Sequence, residues 1–88
     1  MKRKQYMLIN LNMVEKIKTF VGIVSKYEEK ITAMKEGYSL NAKSIFGLLS
    51  LDLSTPVKLV FTVTDEKDFT GIVEELTRSQ FEYELCTE

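Results

Sequence analysis

Residues 38–51 read YSLNAKSIFGLLSL, and their interpretation determines what kind of domain the chain forms. Ser44 stands directly before an apolar segment, and a serine hydroxyl in that position accepts a hydrogen bond from a backbone N–H group in a helix's first turn. We therefore predict a short helix within residues 44–51, capped by Ser44. Leu48 and Leu51, three residues apart, can supply its core contact, so the remaining large apolar residues exceed what one buried face needs.

Strands are predicted on both sides of this helix. Residues 31–35 and 38–42 flank Glu36-Gly37, a pair that suits a tight hairpin turn. Residues 57–64 (VKLVFTVT) are rich in β-branched and aromatic residues, which is typical of a strand. Four apolar residues of this run alternate and can face a core, whereas a fifth interrupts the alternation: Val57, Leu59, Phe61 and Val63, against Val60.

The flanking segments complete the pattern. Residues 5–11 (QYMLINL) predict a short strand, and residues 13–27 predict an amphipathic helix. Asp65 is a suitable cap for a third helix, whose acidic first turn fits the positive end of the helix dipole. The order is strand, helix, strand, strand, helix, strand, helix. It favours an α+β domain, in which an antiparallel sheet is covered by helices on one face.

The composition excludes several classes of protein. The chain has 88 residues, no histidine and a single cysteine, Cys86, so it lacks the ligands of a structural zinc site and the base of a Ser–His or Cys–His pair. One cysteine cannot form an internal disulfide, which favours a cytoplasmic location. The net charge of −1 gives no general attraction to nucleic acid or anionic membrane. No run approaches the ~20 apolar residues of a membrane span, and we predict no cofactor and no metal.

The central residues resemble a known family. Residues 25–27 (SKY) and residues 38–51, above all the run NAKSIFGLLSL, are similar to HPr, the histidine-containing phosphocarrier of the bacterial sugar phosphotransferase system. The similarity extends without large gaps from about Gln5 to Ser79. It implies an open-faced β-sandwich, in which three helices cover one face of a four-stranded antiparallel sheet.

The resemblance also implies where the chain departs from the family. HPr proteins carry the phosphoryl group on a histidine at the start of the first helix, followed by an arginine and a proline. Counting back from residues 25–27 puts Met13 at the histidine position, Glu15 at the arginine position and Lys16 at the proline position. A thioether is only a weak acceptor and cannot form a phosphoramidate. Phosphotransfer on histidine is therefore excluded, and we predict that the chain is not an enzyme.

Ser44 matches the regulatory serine of the family. In Gram-positive relatives an ATP-dependent kinase phosphorylates that serine, and the product binds a catabolite repressor. A phosphate at a helix N-terminus meets free backbone N–H groups and the positive end of the dipole, and Lys43 is adjacent. Glu15 counts against the switch, because it replaces the arginine that would help to hold the phosphate. The alternative is that Ser44 only caps the helix.

Part of the same helix is an exposed docking patch in the family. The resemblance implies that Ile45, Phe46 and Leu49 are the exposed members here, and an exposed apolar patch commonly marks an interface. Met13 and Val14 could extend this surface. The alternatives are that all the apolar residues of the helix are core and that Met13 is simply an exposed loop residue.

We predict a cytoplasmic, regulatory protein-docking module, similar to the regulatory paralogues that lack the histidine and act through the serine. Its expected partners are a serine kinase, a transcriptional repressor or phosphotransferase components. One alternative is an assembly protein that reuses the fold. Another is a phosphocarrier that forms an acyl phosphate on Glu15.

The chain is divided into one domain, residues 1–80, and a tail, residues 81–88. The tail begins FEYEL, in which apolar and acidic residues alternate with the period of a strand. An extra edge strand or a contact with a second chain is one interpretation of the tail. A helix extension or a frayed end is the other.

Overall fold

The computed structural model describes residues 2–87; Met1 and Glu88, the outer ends of the predicted domain and tail, lie outside the described residues. Eight elements follow one another along the chain. They are β1 (Arg3–Ile9), α1 (Val14–Val24), β2 (Lys30–Lys35), β3 (Tyr38–Asn41), α2 (Ile45–Leu49), β4 (Val57–Val63), α3 (Glu66–Arg78) and β5 (Tyr83–Cys86). The α+β class and the order of the first seven elements are confirmed.

The sheet has five strands, so the expectation of a four-stranded sheet is wrong. All pairs are antiparallel and the strand order is β3-β2-β4-β1-β5. The alternating tail supplies the additional strand, because β5 pairs along β1 from Ile9 opposite Tyr83 to Tyr6 opposite Cys86. Just before β5, Phe81 is buried. Its ring packs edge-to-face with the ring of Phe20, and the two ring centres are 6.4 Å apart. The division of the chain at residue 80 stays a prediction.

The core lies between one face of the sheet and the three helices. Alternate residues of β1, β2 and β4 point to this face and are almost completely buried. They are Met7, Ile9, Ile31, Ala33, Val57, Leu59, Phe61 and Val63. Val60 is also buried but is not part of this cluster, because it points to the opposite face. Val60 therefore interrupts the apolar alternation of β4 because it is buried on the outer face of the sheet, opposite the core.

Local backbone chemistry fits the predicted turn and caps. Glu36 and Gly37 both have positive φ, 49° and 88°, in the tight turn between β2 and β3. Ser44 accepts a hydrogen bond from the N–H of Gly47 at 3.1 Å, and Asp65 accepts one from Lys67 at 2.9 Å. Both predicted caps are confirmed by this geometry.

The first helix is shorter than residues 13–27, since it ends at Val24. Tyr27 lies beyond the end of the helix, packs partly against the core and reaches α3. Its hydroxyl donates to a carboxylate oxygen of Glu75 at 2.6 Å, and the same carboxylate pairs with Lys26. The predicted helix is therefore too long at its C-terminal end, where a tertiary contact from Tyr27 to α3 takes the place of the last helical turn.

Two helix glycines predict opposite responses to alanine. A Cβ at Gly71 would lie 2.8 Å from the Tyr27 hydroxyl, whereas a Cβ at Gly22 would meet nothing within 4 Å. Gly22→Ala is expected to raise the free energy of unfolding by about 0.5–1 kcal/mol, because alanine loses less backbone entropy than glycine in a helix. Gly71→Ala is expected to lower it by about 1 kcal/mol or more, because the ring and its bond to Glu75 must shift. Urea unfolding of both variants tests this, and equal gains would contradict it.

The Glu75 cluster predicts a pH-dependent contribution to stability. Hydrogen bonds from Lys26 and then Tyr27 hold the pKa of the Glu75 carboxyl below its ordinary value. A carboxylate with a lowered folded-state pKa stabilises above its unfolded-state pKa, and this stabilisation is lost as the pH falls through the folded-state pKa. Glu75→Gln is expected to lower the urea midpoint at about pH 7 and to lower it progressively less as the pH falls below about 4.3, the ordinary pKa of a glutamate. Glu74→Gln is the matched control on the exposed side of the same helix, and equal losses in both variants would contradict the assignment.

Candidate docking surface

The start of α1 exposes two apolar side chains. Met13 is the residue before the helix, with extended backbone (φ −137°, ψ 143°), and makes no side-chain cap hydrogen bond. It is 56% exposed, and Val14, the first helical residue, is 53% exposed. A large apolar side chain at this position neither caps the helix nor fills the core. It is therefore free for contact with another molecule.

The short helix α2 adds the largest exposed apolar group. Phe46 is 82% exposed and Leu49 is 44% exposed, while Leu48 is fully buried and Leu51 packs partly against the core. The expectation that Ile45 is exposed is wrong in degree, since Ile45 is half-buried against the core cluster. Because α2 is only five residues long and contacts both α1 and β3, more than one side of it meets the domain.

The exposed residues come from two helices that pack against each other. α1 contacts α2, and both helices lie on the same face of the sheet. We define the docking patch, a candidate binding surface, as the exposed Met13, Val14, Phe46 and Leu49 together with the half-buried Ile45. When a partner removes apolar side chains from water, the free energy falls by roughly 25 cal/mol for each Å² of apolar surface buried. The group of side chains is therefore able to make apolar contacts with another molecule.

Two charged residues near the candidate site, Glu15 and Lys43, are each directed to another group of the chain. Glu15 is exposed, and its carboxylate lies 4.0 Å from the ammonium group of Lys18 one helical turn later. Lys43, the residue before Ser44, donates to the backbone carbonyl of Tyr27. Its ammonium group is therefore engaged by the main chain rather than by the Ser44 hydroxyl.

The Ser44 hydroxyl is accessible. The residue is exposed, and its oxygen holds one hydrogen bond, from the N–H of Gly47. At the other end of the helix the Ser50 hydroxyl donates to the carbonyl of Gly47 at 2.6 Å. Within residues 2–87 no group of three or more potential ligand side chains is placed to hold a metal ion.

The comparison with solved structures concerns the fold. A crystal structure of HPr-C-His from Thermoanaerobacter tengcongensis matches with a TM-score of 0.65 and 27% sequence identity, over 88% of this chain and 92% of that chain. The chain has an HPr-like fold. No protein-family model matches the sequence, and no curated protein matches it either.

The HPr-like fold supports the resemblance and corrects one detail of it. The three helices and the open antiparallel sheet fit, whereas β5 is an addition to the four-stranded sheet that the resemblance implies. No helix within the described part of the chain combines the length and the apolar character needed to cross a bilayer. The roles of Met13, Ser44 and the rest of the docking patch stay predictions.

Sequence reasoning did not find two features of the molecule. One is the contact of Tyr27 with Glu75, which joins the segment after α1 to α3. The other is a set of lysines on the outer face of the sheet, Lys4, Lys30 and Lys58. These three are far apart in the sequence, and only the strand register shows that they share a face.

Proposed function

We propose that the chain is an HPr-like protein that docks other proteins in a regulatory role and cannot carry a phosphoryl group on histidine. The observation that carries this proposal is the exposure of Met13, Val14, Phe46 and Leu49 on two contacting helices. Isolated exposed apolar residues are ordinary, but a group of them on adjoining elements is typical of an interface. The HPr-like fold supports a phosphocarrier-like origin for this surface.

Loss of phosphotransfer follows from the chemistry at the start of α1. Met13 has a thioether where a phosphocarrier needs an imidazole, and the sequence contains no histidine at all. Glu15 brings a negative charge to the region in which a phosphoryl group would be held, which disfavours that group by like-charge repulsion. The surface therefore retains apolar contact area but lacks a histidine that could carry a phosphoryl group.

Serine phosphorylation at Ser44 is the regulatory step of the proposal. The exposed hydroxyl lies before the first turn of α2, whose free N–H groups favour an anion. Phosphorylation adds a charge of about −1.5 to −2 next to the Ser44–Gly47 hydrogen bond and beside Phe46. A partner that contacts Phe46 would therefore distinguish the two forms. The partners we propose are a serine kinase, a transcriptional repressor or phosphotransferase components, in the cytoplasm.

The test of this step is phosphorylation by a purified HPr kinase. The full chain is incubated with the kinase and ATP, and its intact mass is measured. The expected result is the mass of one phosphoryl group, with the modification at Ser44 by fragmentation. Ser44→Ala is expected to show no gain, and the matched control Ser50→Ala is expected to behave like the natural chain. No mass gain in the natural chain would eliminate the serine switch and leave unmodified docking.

The assembly alternative depends on the tail pairing with another chain. In the structure β5 pairs with β1 of its own chain, so this pairing is already made within the molecule. Light scattering on the full chain and on a chain that ends at Gln80 distinguishes the two roles. A monomer in both would eliminate the assembly role.

A further inference from the structure

The outer face of the sheet has a composition different from that of the core face. The register places successive rows of side chains there, at right angles to the strands. The first row is Lys4, Thr62 and Lys30; the second is Tyr6, Val60 and Thr32; the third is Leu8, Lys58 and Met34. Apolar groups thus lie between lysines.

Within the described part of the chain, the lysines on this face are not paired with an acidic side chain. Lys4, Lys30 and Lys58 take part in none of the ion pairs formed within residues 2–87. In the strand register the nearest acid of this face is Glu84, opposite Leu8 on the edge strand. Because the whole chain has a net charge of −1, the three lysines make this face more basic than the rest of the molecule. Such separation of charge favours an acidic partner.

The centre of the face suits a protein contact. Met34 is 41% exposed, and the Lys58 ammonium group lies 4.9 Å from the centre of the Tyr6 ring. Protein interfaces have an apolar centre with a polar rim. Binding of single-stranded nucleic acid needs several aromatic side chains for base stacking, and Tyr6 is the only one in these rows.

The spacing of the lysines matches the width of a helix. Lys4 and Lys30 lie on the two strands that flank β4, so their strands are about 10 Å apart. An α-helix is about 10–12 Å wide with its side chains. Two cavities, of about 240 and 370 Å³, open beside these residues, and both are lined by Lys4, Lys30 and Thr62. A helix laid along β4 would therefore have a lysine on each side.

We propose that the outer face of the sheet binds an amphipathic helix of a partner protein whose apolar stripe is flanked by Asp and Glu. The stripe covers Tyr6, Val60 and Met34, and the acidic residues pair with Lys4, Lys30 and Lys58. This surface lies on the opposite face of the sheet from the docking patch. The protein can thus hold one partner on its helices and another on its sheet.

The test uses two synthetic helical peptides and the full ¹⁵N-labelled chain. One peptide has a leucine stripe flanked by glutamates, and the other has lysines in place of the glutamates. In low-salt buffer the acidic peptide is expected to shift the amide signals of Tyr6, Thr32 and Thr62 and to leave those of Val14 and Phe46 unchanged. Oligothymidylate of equal charge tests nucleic acid as the occupant.

Matched variants measure the contribution of the lysines. The variant with Lys4→Gln, Lys30→Gln and Lys58→Gln is expected to weaken binding of the acidic peptide about tenfold, since each exposed ion pair contributes a modest amount. Removing three exposed positive charges from the helices, Lys18→Gln, Lys67→Gln and Arg78→Gln, is expected to change it less than about twofold.

Four results would overturn the proposal. They are the absence of binding by the acidic peptide, equal binding of both peptides, tighter binding of oligothymidylate, and equal losses in the two triple variants. None of these results depends on Ser44 or on Phe46. The proposal can therefore fail while the proposed function stands, and the reverse also holds.

Discussion

Incubation with phosphoenolpyruvate and enzyme I is expected to leave this chain without any phosphoryl label. The position at which the resemblance puts the phosphorylated histidine is Met13, and the thioether cannot accept the group. Label on an authentic HPr in the same reaction is the positive control. The expected difference is complete, because the chain contains no histidine.

The geometry at Met13 allows a more demanding version of this experiment. The residue precedes the first turn of α1, is 56% exposed and makes no side-chain cap hydrogen bond. A histidine there would be accessible and would lie at the positive end of the helix dipole, which favours a phosphoryl group. The variant with Met13→His and Glu15→Arg is expected to gain measurable label from charged enzyme I.

The controls separate this account from an acyl phosphate on Glu15. Met13→His alone is expected to gain less label than the double variant, because the Glu15 carboxylate repels the phosphoryl group. Label on the natural chain that disappears in Glu15→Gln would contradict the account and support the acyl phosphate. A folded double variant that stays unlabelled would show that the resemblance places the site wrongly.

Replacement of Phe46 by glutamate is expected to weaken docking of an HPr kinase strongly while the domain stays folded. Phe46 is 82% exposed, so its replacement leaves no cavity in the core. At an interface, a large aromatic residue is typical of the few positions that carry most of the binding free energy, and loss of one costs about 2 kcal/mol or more. A glutamate carboxylate at the centre of the interface must also be desolvated, which weakens binding further. The rate of Ser44 phosphorylation at low protein concentration is expected to fall at least about thirtyfold.

Tyr38→Glu is the matched control, because Tyr38 is 70% exposed and lies outside the docking patch. It is expected to leave the rate of phosphorylation within about twofold of the natural chain. Equal urea midpoints for the two variants and the natural chain would show that folding is unaffected. A Phe46→Glu chain that is phosphorylated as fast as the natural chain would remove Phe46 from the docking patch.

The sequence predicted the secondary structure well where the signal is local. Ser44 and Asp65 indicate helix starts because their side chains can accept a hydrogen bond from the first turn. Glu36-Gly37 indicates a turn because this pair tolerates positive φ. The run from residue 57 to 64 has the β-branched composition that suits a strand. These signals depend on a residue and its near neighbours, so no knowledge of the tertiary fold is needed.

The errors arose where long-range contacts decide the structure. The alternating tail could be predicted as a strand or as a helix extension. The structure decides for a strand, because the tail pairs with β1. Tyr27 lies within the predicted helix of residues 13–27, but in the structure it follows the helix and bonds to Glu75 of α3. Lys4, Lys30 and Lys58 lie on three different strands, and only the register brings them to one face.

The candidate site was predicted in part for the same reason. Phe46 and Leu49 are exposed, as the resemblance implied, whereas Ile45 is half-buried against the core. Met13 and Val14, which could extend the surface, are also exposed. Lys43 is adjacent to Ser44 in sequence but donates to the Tyr27 carbonyl. Sequence adjacency gives no direction for a long, flexible side chain, so this contact could not be foreseen.

The central claim is that the chain docks partner proteins through the exposed ends of α1 and α2. Titration of the ¹⁵N-labelled full chain with an unlabelled HPr kinase, followed by heteronuclear NMR, tests it most directly. The account predicts that the amide signals of Val14, Phe46 and Leu49 shift or broaden first, while those of Thr32 and Thr62 on the outer face stay in place. Binding that leaves the signals of α1 and α2 unchanged would contradict the account.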